Sequence, residues 1–346
     1  MSKTSPQKKK IPFKLSSNLN KLLGEMGRKQ NIYLQYDDLL RFDSAIPLYD
    51  KKGEDTLWLS VAYQPSEMAE LNRELTGIYA SLKTNGDVHV MEHLHVDRID
   101  YCTFGNSKPF RIKIVNNYND NHDYYYIKYA DASRIYGLEW EHILSPNRIN
   151  YFVNQQTLIE EHIVGIPGDQ FMKNNLNDSD LNEIRLAKEF VKFNERCFVR
   201  LLGDMRSYNY VVDVTPDFED TQYRIRAIDF DQQCYEGRKN LYMPQFFKEN
   251  NAFVELCKKH LNPKSVQQYQ SEERSLIARR IKTSTYRVSQ LLNCMIEDEL
   301  STPEKTYQLK NELADFYKNN NFKSCINMGD VLKCCLNIVS GGSILS

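Results

Sequence analysis

Residues 96–163 constrain the fold most, because they read as five short strands interrupted by a single helix. RIDYCTF alternates apolar and polar residues, GNSKP turns, and FRIKIVN alternates again. The Asn- and Asp-rich NNYNDNHD forms a second turn before a third strand, YYYIKYA. Period-two alternation bounded by turn residues is the signature of half-buried strands. A helix over 132–144, stopped by Pro146, separates these from two further strands, YFVNQ and TLIEEHI. The expectation is an antiparallel five-stranded sheet with one helix inserted after its third strand.

After GIPGD the pattern becomes helical. DSDLNEIRLAKEFVKFNERCFVRLL aligns Leu181, Ile184, Ala187, Val191 and Phe198 along one side, with Asp180 and Glu183 spaced as a capping box. YNYVVDV and YRIRAID read as a hairpin around the acidic loop TPDFEDTQ, whose Asp217–Asp220 run reads as a solvated tip. ERSLIARRIKTSTYRVSQLLNCMI and PEKTYQLKNELADFY are the clearest of the later helices. Residues 13–95 read as a separate extension, with a helix from Pro65 to Leu82 (stripe Met68, Leu71, Leu75, Ile78) and short strands such as LWLSVAY. Residues 1–12, which include Lys8, Lys9 and Lys10, read as a solvated basic tail.

Composition excludes several classes. A chain of 346 residues can hold two lobes with real cores, and 41% hydrophobic residues mark it as globular. A net charge of −1 gives no general pull toward nucleic acid or membrane. No apolar run approaches the roughly 18 residues of a membrane span, and no apolar leader opens the chain, so a cytoplasmic location is expected. The eight cysteines show no metal-knuckle spacing, and adjacent Cys334 and Cys335 suit neither a ligand pair nor a mutual disulfide. A reduced protein with buried thiols is expected. His89, His93 and His95 share one parity and could offer imidazoles to zinc, but with no fourth ligand at good spacing they read as polar-face histidines.

Chemistry concentrates in two segments, LGDMRSYNYVV at 202–212 and IRAIDFDQQ at 225–233. In the first, Asn209 follows Asp204 by five residues; in the second, Asp229 ends an apolar run and Asp231 lies two residues beyond. Phosphoryl transfer needs a carboxylate near the attacking hydroxyl, oxygen ligands for magnesium, and cations for phosphate charge. Asp204 suits the first task, Asn209 and Asp229 the second, and Arg206 part of the third.

In this order the pieces resemble the protein-kinase-like superfamily, and the GD-x-x-x-x-N form looks more like its aminoglycoside and choline phosphotransferase branch. The resemblance covers about residues 96–240. It implies a two-lobed α+β fold: a five-stranded N-lobe with one helix over 96–163, and a mainly helical C-lobe over 164–346, behind the N-terminal extension. It makes Lys128 the cation on the α- and β-phosphates. Its glutamate partner belongs on the next helix, where Glu139 and Glu141 compete. Glu139 shares the inward stripe of Ile135, Leu138, His142 and Ile143 and is preferred, while Glu141 points elsewhere. Gly105, Asn106 and Ser107 stand in for a Gly-rich phosphate loop, with one glycine where relatives carry several. The main chain of Glu161 and Ile163 is assigned to the adenine, and Asp169 to the ribose or to a helix N-cap. Asp204 becomes the base, Arg206 the γ-phosphate cation, and Asn209 and Asp229 the magnesium ligands. Asp231 holds a second ion or caps the chain. Leu202 replaces a largely structural histidine.

The implied cofactors are ATP and magnesium. The implied reaction moves the γ-phosphoryl group to a hydroxyl of a small molecule or protein, with no membrane or nucleic-acid partner. An inert kinase-like scaffold and a nucleotidyl-transferring enzyme are the alternatives.

Overall fold

A computed structural model describes residues 10–50, 52–84, 92–104, 106–217 and 221–342. It is a mixed α/β structure of two compact units. The first holds residues up to Leu15, Asn20–Asp131 and Ile149–His162; the second holds Ser16–Leu19, Ala132–Arg148 and Ile163 onward.

The chain begins with helices α1 (Ser17–Glu25) and α2 (Tyr36–Leu39), then strands β1 (Ser44–Tyr49) and β2 (Asp55–Ala62) and helix α3 (Pro65–Thr84). The expected strands follow as β3 (Leu94–Cys102), β4 (Phe110–Asn116) and β5 (His122–Tyr129). Helix α4 (Ala132–Leu144) intervenes before β6 (Tyr151–Asn154) and β7 (Thr157–Glu161). Among the described residues, the seven strands β1–β7 form one antiparallel sheet in the order β1-β2-β3-β4-β5-β7-β6.

Strands β1 and β2 and helix α3, all within residues 13–95, are therefore part of this sheet and its core and not a body of their own. Leu59 pairs with Tyr101 and Val61 with Ile99, so β2 covers the edge that β3 otherwise leaves with unpaired amides. Helix α3 lays Leu71, Leu75, Ile78 and Leu82 against Ile99, Ile112, Ile114 and Ile127 in one core, and the Tyr125 hydroxyl donates to Leu75 O at 2.9 Å. Lys10, the first described residue of the expected solvated basic tail, is not solvated. Lys10 is buried with its Nζ 2.7 Å from Asp131 Oδ2, and Phe13 N–H donates to Asp131 Oδ1 at 3.1 Å.

The second unit contains β8 (Ile166–Pro167), α5 (Gly168–Asn174), α6 (Glu183–Val199), β9 (Tyr210–Pro216) and β10 (Thr221–Ala227). Helices α7 (Asn251–His260), α8 (Pro263–Thr283), α9 (Thr285–Glu297), α10 (Pro303–Tyr317) and α11 (Met328–Ser340) follow. The anticipated hairpin forms in register, Tyr210 opposite Ala227, with β8 added on the far side of β9. Helix α6 starts later than the capping-box spacing implied. Asn182 is its N-cap and accepts from Arg185 N–H at 3.0 Å.

Helix α4 groups with the second unit, although its sequence lies between strands of the first. Gly137 explains the closeness of the packing. A Cβ there would come within 2.8 Å of Phe230 Cβ and 3.2 Å of Phe230 O, so only glycine lets α4 lie this near the strand-end segment after β10. Nearly every α4 side chain is buried, Glu139 and Glu141 included. Glu141, read as pointing away from the inward stripe, forms an ion pair with buried Arg200 and accepts from Asn147 Nδ2 at 2.9 Å.

Candidate active site

In the second unit the two chemical segments meet through Asn209. Its side-chain Nδ2 donates to Asp204 O at 2.7 Å, and its main-chain O accepts from Ile228 N at 3.0 Å and Asp229 N at 3.4 Å. Asp204 has a left-handed backbone, φ 57°. That conformation is uncommon for a side-chain-bearing residue, and aspartate is among the few that tolerate it. Asp204 O also accepts from Arg206 N–H at 2.8 Å, and Asp204 N–H donates to Leu241 O at 3.0 Å. A short 3-10 turn at Ser207–Asn209 then delivers the chain into β9.

Arg206 links two carboxylates. Its Nε lies 2.7 Å from Asp204 Oδ1, and its Nη1 lies 2.9 Å from Glu249 Oε1. Partial burial pushes the Asp204 carboxyl up from its ordinary range, and the Arg206 guanidinium opposes that shift. The net direction is upward, which moves this group toward the range useful for a general base.

Asp229 and Asp231 meet a residue that sequence reasoning passed over. Arg134, on the first turn of α4 and about 1% exposed, places Nη1 2.8 Å from Asp229 Oδ1 and 2.9 Å from Asp231 Oδ1. Its Nη2 donates to Ile228 O at 3.2 Å. Ser133, its neighbour, donates Oγ–H to Gln233 O at 2.7 Å and reaches Asp231 O at 3.1 Å. Asp231 N–H donates to Asp229 Oδ1 at 3.1 Å, so the DFD segment is held both by itself and by α4. Asp231 is buried, while the Asp229 side chain keeps 36% exposure. The signal available was an arginine in the first turn of a helix that also carries an apolar stripe, since a buried guanidinium needs an acidic partner.

The carboxylates of Asp229 and Asp231 and the Asn209 amide oxygen are the oxygen ligands magnesium favours. The two Oδ1 atoms converge on one point, since a single guanidinium nitrogen bonds both. Arg134 is the cation at that point. Among the described residues no group of three His, Cys, Asp or Glu side chains is placed to hold a metal. His89 lies outside the described residues, and His93 packs on Tyr118 with ring centroids 4.0 Å apart.

In the first unit, Lys128 is buried near the end of β5 and has a carboxylate on the neighbouring strand. Its Nζ lies 2.7 Å from Glu160 Oε2 on β7. Lys128 stands opposite Leu158 in the register, so Glu160 is two residues along on the same face, within diagonal reach. The Lys128 Nζ also lies 5.4 Å from the Tyr126 ring centroid. Glu160 lies on a strand and not on the helix from which the resemblance takes the partner of Lys128. Glu139, in the second unit, is fully buried with Oε2 3.4 Å from Arg287 Nη2.

The remaining candidates sit in connections. Asn106 and Ser107 lie between β3 and β4, and Gly105 lies outside the described residues. Glu161 closes β7; its N–H donates to Asn150 O at 3.0 Å and its Oε1 accepts from Asn150 N–H at 2.7 Å. Ile163 is buried at the start of the second unit. Asp169 stands in the first turn of α5, whose N-cap is Pro167.

No family model matches the chain. No curated protein matches it. Among solved structures it is similar to the autoinhibited serine kinase domain of the giant muscle protein titin, at 13% identity and a TM-score of 0.28, over 74% of this chain and 94% of that one. It is also similar to titin kinase and its flanking domains, at 14% identity and a TM-score of 0.27, over 74% of this chain and 55% of that one. Both are kinases by description, and both superpositions are loose. The functional reading therefore rests on the side chains themselves. Among the described residues no helix is long and apolar enough to cross a membrane.

Proposed function

We propose that this chain is an ATP- and magnesium-dependent phosphotransferase that delivers the γ-phosphoryl group to a hydroxyl of a small molecule or a protein. The observation that carries this reading is the double tether of Asn209, bonded on one side to Asp204 and on the other to Asp229. That tether brings a candidate base and candidate metal ligands from segments 20 residues apart into one cluster, in a backbone conformation that orients them.

In this reading Asp204 orients the acceptor hydroxyl and takes its proton. Arg206, fixed between Asp204 and Glu249, presents a guanidinium for phosphate oxygens. Asn209, Asp229 and Asp231 would hold magnesium, which when bound neutralises charge on the transferring phosphate. Lys128, oriented by Glu160, supplies the cation for the remaining phosphates. Glu139 as its steadying partner, and Gly105, Asn106, Ser107, Glu161 and Ile163 as nucleotide contacts, belong to the same proposal.

One observation favours a second reading, an inert scaffold with a kinase-like fold. Arg134 already bonds both carboxylates assigned to the metal, so a side-chain cation stands at the point where their Oδ1 atoms converge. ATP turnover against a panel of hydroxyl metabolites and the protein itself separates the two. The expected result is a product heavier by one phosphoryl group, lost in Asp204→Asn and in Asp229→Ala. A product carrying a nucleotide would assign nucleotidyl transfer. Turnover no greater than that of the two variants, across the panel, overturns the enzyme reading.

A further inference from the structure

The chemistry so far leaves one thiol cluster unused. Cys325 follows a short 3-10 turn (Asn320–Ser324), and Cys334 lies on α11. Their Sγ atoms are 3.5 Å apart. Both face the same acceptor, Asn321 O, at 3.8 Å from Cys325 Sγ and 3.9 Å from Cys334 Sγ.

The segment between them is firmly built. Asn327 and Asp330 form a reciprocal capping box at the start of α11, and Ile326 N–H donates to Asp330 Oδ2 at 2.9 Å. Lys310 of α10 donates Nζ–H to Cys325 O at 2.8 Å and to Lys323 O at 3.1 Å. Gly329 fixes the depth of α11, since a Cβ there would stand 2.7 Å from Met295 O. The two thiols are thus brought together by a corner that is already formed.

We propose that Cys325 and Cys334 are a thiol-oxidation site that closes to an intramolecular disulfide when it meets a low-molecular-weight disulfide such as oxidised glutathione. Closing the pair needs the sulfurs to approach by about 1.5 Å. Cys334 is the more exposed of the two and Cys325 is buried. The Cys325 S–H donating to it, assisted by Lys333, holds the Cys334 thiol below its ordinary range, and Cys325 is raised correspondingly. Cys334 is therefore the attacking thiolate.

The steps balance as ordinary exchange. The Cys334 thiolate attacks one sulfur of the glutathione disulfide, forming a mixed disulfide and expelling one glutathione thiolate. Cys325, giving up its proton, attacks Cys334 Sγ and expels the second glutathione. Two protein thiols are oxidised to one disulfide, one glutathione disulfide is reduced to two thiols, and both protons end on glutathione. Adjacent Cys335 takes no part, because it is buried and burial pushes its thiol up.

Peptide mapping tests this on the full chain. The reduced protein is treated with oxidised glutathione, alkylated and cut with trypsin. Cleavage after Lys323 and Lys333 puts Cys325 on one peptide and Cys334 on the next, so an internal disulfide joins two peptides with the loss of two hydrogens. The expected result is that linked pair, reversed by dithiothreitol, retained in Cys335→Ser and absent in Cys334→Ser. Persistence of the cross-link in Cys334→Ser overturns the assignment. So does a wild-type protein in which Cys334 stays glutathionylated, or in which Cys325 remains alkylatable throughout; neither readout requires a variant to fold.

Discussion

At the scale of single residues, Asp204 carries the first prediction. Its folded carboxyl is raised, so transfer that needs the carboxylate declines toward acid from a higher pH than an ordinary aspartate would give. Arg206 pulls that carboxyl down, so Arg206→Met should shift the acid limb of the rate profile to still higher pH. A limb that stays put or moves to lower pH excludes Asp204 as the base. The same shift has a stability consequence. A carboxyl whose folded pKa lies above its unfolded value destabilises the fold above the folded pKa, and that cost disappears as the pH falls through it. Asp204→Asn should therefore melt no lower than wild type at neutral pH while losing about 10²-fold or more in rate. Arg134 behaves oppositely. Removing it in Arg134→Gln leaves two close carboxylates without this cation, at a cost of about 3 kcal/mol. Added magnesium should recover part of that loss, to an extent not seen in wild type. If calorimetry finds equal magnesium effects on both proteins, the paired carboxylates are not a cation site.

At the scale of elements, legibility followed how local the determining interaction is. The five strands of residues 96–163 and the β9–β10 hairpin were readable because alternation and turn residues act within a few positions. The α3 stripe was readable for the same reason, and Leu71, Leu75 and Ile78 are buried. The joining of β1 and β2 to that sheet was not, because their partner β3 lies across an intervening helix and the pairing leaves no mark at either end. Helix α4 shows a different limit. Its sequence reads as amphipathic, yet Glu141 is buried by an ion pair to Arg200, 59 residues away. Asp204, Asn209 and Asp229 were legible as residue types in order, whereas Arg134 and Glu160 act only through partners that folding brings near. The contact that positions Arg134 is itself testable. Gly137→Ala inserts a methyl against Phe230 and should cost about 1–3 kcal/mol in denaturant unfolding. A neutral result would mean that α4 is not held at the depth on which the Arg134 contacts depend.

At the scale of the whole molecule, the question is whether nucleotide binding is coupled to the folded state at all. A ligand that binds only the native chain stabilises it by RT ln(1 + [L]/Kd), about 2.7 kcal/mol at roughly 100 times Kd. For a chain this long a gain of that size is a melting shift of a few degrees. Magnesium-ATP should therefore raise the melting temperature, and calorimetry is the suitable readout because the two units can melt as separate transitions. The Asp229→Ala variant should lose most of the magnesium-dependent part of the shift while keeping its own unliganded transition. Lys128→Met should lose the shift with or without magnesium, since a cation for phosphate does not act through the metal ligands. Protection that is equal in wild type and both variants would show binding elsewhere on the chain. No protection in wild type at millimolar nucleotide would leave Arg134 as the permanent counter-ion of Asp229 and Asp231, and the chain as a scaffold.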